Sequence, residues 1–175
     1  DIFLLHNRPI YQRTDDSVLR IHHEKYKIIR RSRGYVPEYL PLPFEGEIPG
    51  AIATGPELAV TGALLRRNRI FPTQHIGNVT HLETYEFLRD AINHMKNLLQ
   101  IKDSETKFIA CDLHPSFITT KLARELSTNY DAEVFPIQHH FAHILSLMGE
   151  NNIDIGEKIV GISTDGVGYG DDGNV

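Results

Sequence analysis

The sequence predicts an α/β domain with a mixed sheet flanked by helices. Three observations carry that prediction. Three short apolar segments follow one another between residues 51 and 72. A long segment with helical apolar spacing comes next. Short apolar runs and amphipathic runs then alternate as far as Thr164, the rhythm of βαβ units in a sheet with parallel strands.

Ahead of these, residues 1–33 read as strands. Ile2-Phe3-Leu4-Leu5 is apolar, Val18–His22 alternates, and Tyr26–Arg30 follows a turn at Glu24-Lys25. Such a hairpin is marginal alone and needs a larger body to rest on. Gly34 to Pro43 then holds three prolines in close succession, which disfavours regular pairing and predicts a stiff connector. The expected organisation is a β-rich tail (1–37), a proline-rich linker (38–50) and an α/β lobe (51–175).

Within the lobe, Ala51–Gly55 reads as a strand ending at a Gly-Pro turn. Glu57–Arg67 predicts a second strand and Arg69–Pro72 a third, with Asn68 as the hairpin turn residue. Leu82–Ile101 places Leu82, Tyr85, Leu88, Ala91, Ile92, Met95, Leu98 and Leu99 on one helical face. Thr80 is the expected N-cap, with Glu83 completing a capping box. Lys107–Asp112 is a strand, Ser116–Thr128 a helix, Ala132–Ile137 a strand and His139–Met148 a helix. Lys158–Thr164 is expected to be a buried strand delivering Asp165-Gly166.

Composition narrows the function classes. The 175 residues carry 18 basic and 23 acidic side chains, a net charge of -5, which disfavours a nucleic-acid partner. No apolar run is long enough to span a membrane, and no basic segment precedes the first apolar residues. The single cysteine, Cys111, leaves no disulfide framework and fits a reducing cytoplasm. The first residue is Asp1, and the last residues form a glycine-rich loop. The chain therefore reads as an internal piece of a longer polypeptide.

Ten histidines stand out. In Gln138-His139-His140-Phe141-Ala142-His143, His139 and His143 are one helical turn apart and can converge on one metal ion. The bland alternative is a helix start with hydrogen-bonded histidines. Asp165 ends an apolar segment, where ligand sites of open α/β sheets lie, so it is either a third ligand or a turn residue. A His-His-Asp set suits iron, zinc or manganese. Gly166, Gly168 and Gly170 open a loop that suits phosphate, or simply a flexible or calcium-type turn. Asp112 reads as a cap for the following helix, and Cys111 as a small buried residue. Arg30, Arg31 and Arg33 form either an anion site or a solvated strand edge.

Six segments in fixed order carry a family resemblance. They are His6-Asn7-Arg8-Pro9-Ile10 with Asp15-Asp16-Ser17-Val18, Arg30 to Pro37, Gln74-His75-Ile76-Gly77, Asp112-Leu113-His114-Pro115, Gln138 to His143, and Asp165 to Gly170. The chain resembles the HypF family, carbamoyltransferases of [NiFe]-hydrogenase maturation, over nearly its whole length. The resemblance implies the tail of a YrdC-like domain followed by the first lobe of a transferase domain of actin-like ATPase fold. It implies that carbamoyl phosphate and ATP are used by way of carbamoyl adenylate. It implies transfer to the C-terminal cysteine of the partner HypE, and a zinc finger elsewhere in the full-length protein. It places Ser17 and Arg30 near nucleotide or carbamate, and Gly55 in a phosphate-facing turn. It assigns His139, His143 and Asp165 to a divalent metal (Fe or Zn) and Gly166, Gly168 and Gly170 to a substrate loop. The fragment alone is expected to be inactive. A tRNA threonylcarbamoyl transferase or an antibiotic O-carbamoyltransferase is the alternative, which the HNRPI and RRSRGYVP segments disfavour.

Overall fold

The computed structural model describes residues 2–43, 47–166 and 168–174. Its centre is a six-stranded mixed sheet with three helices. In chain order the strands are β1 (Val18–His22), β2 (Lys25–Arg30), β3 (Leu40–Pro41), β4 (Gly50–Ala53), β5 (Ala63–Arg66), β6 (Arg69–Pro72), β7 (Thr106–Asp112) and β8 (Glu133–Ile137). The helices are α1 (Leu82–Leu98), α2 (Ile118–Tyr130) and α3 (His139–Glu150). The sheet runs β3-β6-β5-β4-β7-β8, while β1 and β2 form a separate antiparallel ribbon. β4, β7 and β8 are mutually parallel neighbours, so their carboxyl ends share one edge of the sheet.

The periodicity of α1 buries Leu88, Ala91, Ile92 and Met95 against that sheet. Gly62 makes the approach possible: a Cβ there would lie 3.1–3.3 Å from Ile92 and Leu88 side-chain atoms. α2 adds Leu122, Ala123 and Leu126 to the same core, with Ile52, Leu64 and Ile109 from the strands. α3 lies beside the small residues Ala53 and Ala110, around a cavity it lines with Ala142 and His143. Lys96, nearly buried at the end of α1, pairs with Asp103 and sits over the Tyr130 ring. No helix among the described residues is long and apolar enough to cross a membrane.

The structure corrects several expectations. Residues 2–10 form no strand, and their apolar side chains are exposed. Leu40-Pro41 pairs with β6 although it lies in the proline-rich connector. It does so at the sheet's edge, where a missing donor can face outward. The strand expected over Glu57–Arg67 shortens to Ala63–Arg66. Ala59 has φ +50°, and Val60 pairs with Gly77 instead. Thr80 does not cap α1. Its N–H is taken by Asn78 Oδ1, and the helix starts after His81 with no side-chain cap. α2 starts at Ile118, whose N–H donates to Glu57 Oε1 from a distant turn.

Lys158–Thr164 forms no strand and pairs with none among the described residues, with Val160 and Ile162 well exposed. The outermost strand β8 carries Pro136 in register with Cys111. A proline on an edge strand removes one donor from the row a further strand would need.

Candidate metal centre

Three features of the sequence meet at the carboxyl edge of β4, β7 and β8. β7 ends at Asp112. β8 leads through Gln138, whose side-chain oxygen accepts from the Phe141 N–H and so caps α3. That cap fixes the first turn of the helix, which puts His139 and His143 on one face. The segment after α3 then returns Asp165 to the same place.

His139 Nε2 and His143 Nε2 are 3.2 Å apart. Asp165 Oδ2 lies 2.9 Å from the first and 3.2 Å from the second. Donor atoms about 2.0–2.2 Å from one tetrahedral ion are about 3.3–3.6 Å from each other, so this triangle is slightly smaller than, but close to, the size that a bound cation demands. The donor types agree. Two imidazole nitrogens and one carboxylate oxygen suit iron, zinc or manganese. Among the described residues, this is the group of three whose ligand atoms all fall within 4.8 Å.

The proton arrangement fits as well. His139 Nδ1 lies 3.0 Å from Asp112 Oδ2, a side chain only 5% exposed. The carboxylate accepts the Nδ1 proton, which leaves the Nε2 lone pair facing the triangle. Asp112 Oδ1 accepts from the His114 N–H. Asp112 therefore orients a ligand and shapes the following loop, whereas the sequence suggested only a helix cap. The rule that singled out Asp165, an aspartate at a strand's carboxyl end, applies to Asp112 with more force.

Asp165 Oδ1 accepts from Ser163 Oγ at 2.7 Å. That hydrogen bond holds the Asp165 carboxyl below the usual carboxylate range, and the neighbouring imidazoles of His140, His139 and His143 add to it. Cys111 is adjacent but buried, and burial pushes its thiol upward, as suits an inert core residue.

A cleft of about 430 Å³ opens beside the donors, lined by Pro56, Glu57, Leu58, His114, Phe117 and Tyr169 among others. Contacts from separate segments build its wall. Glu57 ties the Gly55 turn to the start of α2. The His114 ring stacks on Phe117 at 4.1 Å, and Tyr169 meets it edge-on. Gly55, at φ +73°, allows the turn and lines a smaller cavity shared with His139 and His143.

The other expected site residues fall differently. The Gly170 N–H donates to Asn174 O, so that glycine closes a local turn instead of presenting a free donor. Gly168 lines the cleft and abuts His140. Gly166 has open space around its Cα. Val167, between them, lies outside the described residues. Ser17 and Arg30 do not line the cleft. Ser17 Oγ donates to Arg33 O and accepts from the Ser32 N–H. Arg30 ends β2 close to His75, whose pKa is lowered first by burial and then by that guanidinium.

Comparison with known proteins places the chain. Residues 47–150 match the family model described as the HypF Kae1-like domain. The probable carbamoyltransferase HypF of Methanocaldococcus jannaschii is 45% identical over the whole chain, which covers 22% of that relative. The chain belongs to the HypF carbamoyltransferase family. HypF2 of Cupriavidus necator is 39% identical over 99% of the chain and 21% of its own length. The fold agrees: the crystal structure of T. kodakarensis HypF superposes with a TM-score of 0.84 at 44% identity, covering 97% of this chain and 21% of that one. Full-length HypF in its phosphate- and nucleotide-bound form gives 0.86 at 35% identity, covering 99% of this chain and 26% of that one. The chain thus spans about a fifth of the length of the HypF relatives it matches in full.

Proposed function

We propose that this chain supplies the metal-holding lobe of a cytoplasmic HypF carbamoyltransferase. The reaction would use carbamoyl phosphate and ATP, pass through carbamoyl adenylate, and carbamoylate the C-terminal cysteine of HypE for cyanide-ligand synthesis. The observation that carries this reading is the convergence of His139, His143 and Asp165 beside a cleft, with Asp112 behind His139. The phosphate- and nucleotide-bound state of a close structural relative supports the choice of substrates.

A bound divalent cation would act as a Lewis acid on the carbamoyl carbonyl or the adjacent phosphate. His139, His143 and Asp165 hold it, and Asp112 fixes the His139 tautomer. The cleft wall of Pro56, Glu57 and Leu58 confines the carbamoyl donor between the sheet edge and the His114–Phe117 stack. The acceptor sulfur attacks as its thiolate. The new carbon–sulfur bond forms as the carbon–oxygen bond to the adenylate breaks, and AMP leaves with the electron pair. The acceptor brings its own sulfur, so buried Cys111 has no role in bond making. Ser17 and Arg30 belong to the adenylate-forming side of the molecule.

The test incubates the intact protein with carbamoyl phosphate, ATP and HypE, then examines the HypE C-terminal cysteine by mass spectrometry. Carbamoylation that is lost in both His139→Ala and His143→Ala supports the reading. Equal modification by wild type and both variants rejects it.

A further inference from the structure

Asp165 has two carboxylate oxygens, and the structure gives them different neighbours. Oδ2 faces His139 and His143. Oδ1 faces away from them, toward Ser163 Oγ at 2.7 Å and His140 Nε2 at 2.8 Å. His140 is the histidine that helical spacing excludes from the metal pair. Its Nε2 is buried and makes no aligned hydrogen bond, so the contact with Oδ1 is one of close approach. Its other ring nitrogen lies 3.4 Å from Gln138 Nε2, the side chain that also caps α3.

Gly168 also abuts the His140 ring. A Cβ at that position would come within 2.6 Å of His140 Cε1 and Nε2. The glycine therefore does more than provide a bare loop: it leaves the volume that the His140 ring occupies.

We infer that His140, seated against Gly168, and Ser163 are positioning residues that restrain Asp165 Oδ1 so that Oδ2 alone meets the cation. This rests on the metal-site reading above. It assigns the second histidine of the run a separate duty from its neighbours. A carboxylate left free at Oδ1 could rotate, bind a cation through both oxygens, or swing away from it.

The test measures Zn(II) affinity of the intact protein by competition with a chromophoric chelator, together with the visible spectrum of the Co(II) form, each taken as the difference from His139→Ala so that metal held by a zinc finger elsewhere in the full-length protein cancels. His140→Ala is expected to weaken Zn(II) binding about 10- to 100-fold, the usual effect of losing an outer partner of a metal ligand. His140→Gln, which can return an N–H toward Oδ1, should recover most of it. Gly168→Ala should copy His140→Ala by displacing the ring, and Ser163→Ala should show a smaller loss in the same direction. The Co(II) bands should shift in His140→Ala while the thermal midpoint of the metal-free protein stays put.

Zn(II) affinity within about twofold of wild type in both His140→Ala and Gly168→Ala overturns the inference. So does a loss in His140→Ala as complete as in His139→Ala, because His140 is then a ligand. Equal Zn(II) and Co(II) binding by wild type and His139→Ala overturns the metal-site reading itself, which is a separate result.

Discussion

Asp112→Asn isolates the contribution of a buried charge to a neighbouring ligand. The carboxylate meets His139 Nδ1 at 3.0 Å from a side chain that water scarcely reaches. Asparagine keeps the shape and one acceptor oxygen, so the His114 N–H retains a partner. What disappears is the negative charge that holds the Nδ1 proton and with it the ring's tautomer and orientation. Loss of an outer partner of this kind costs about 10- to 100-fold in metal affinity. That is about 1.4–2.7 kcal/mol. Asp112→Ala adds a second penalty, because the His114 N–H loses its acceptor, at about 1–3 kcal/mol of folding stability. The assay is Zn(II) titration against a competing chelator, with urea unfolding of the metal-free protein alongside. Asp112→Asn should lower affinity with little change in the urea midpoint. Affinity within twofold of wild type would refute the claim that this carboxylate orients His139.

Other outcomes follow from the same structure. Leu88, fully buried against Gly62, should cost about 3–5 kcal/mol of stability when changed to alanine, read from urea unfolding; a loss under 1 kcal/mol would contradict its place in the core. A Cβ on Gly50 would lie 2.4 Å from the Glu105 carbonyl oxygen, so Gly50→Ala must move backbone and should destabilise by about 1–3 kcal/mol in the same assay. The Asp165 carboxyl has a folded pKa below its ordinary value of 3.8. Its stabilising contribution is therefore present above that value and lost as pH falls through the lower, folded one. Carbon-detected NMR of the metal-free protein should show this depressed midpoint, and Ser163→Ala should raise it; an unchanged midpoint would show that the hydroxyl does not matter. Buried Cys111 should resist a thiol reagent in native buffer and react once the protein is unfolded in urea; rapid native labelling would place it at the surface.

Much of the lobe was legible because its signals are local and repeated. The α1 stripe, the three parallel strands and the start of α3 each follow from spacing within a few residues. The His139–His143 pair was legible for the same reason: one helical turn decides it. What escaped depended on distant chain segments. Glu57 caps α2 from the turn after β4, so nothing near Ile118 announces it. Asp112 suggested a cap because the adjacent helix was visible and His139 was not yet beside it. The apolar run 158–164 has the composition of a buried strand, but composition does not say which edge is open to receive it. Leu40-Pro41 is the reverse case, since proline argued against pairing that an edge position permits.

The two outermost strands each contain a proline, Pro41 in β3 and Pro136 in β8. An uncapped sheet margin invites stacking with another copy of itself and, in the extreme, fibril growth. A ring nitrogen without hydrogen at both margins interrupts that templating from either side. Among the described residues, both margins of the sheet are thus poorer templates for a further strand than an all-amide edge.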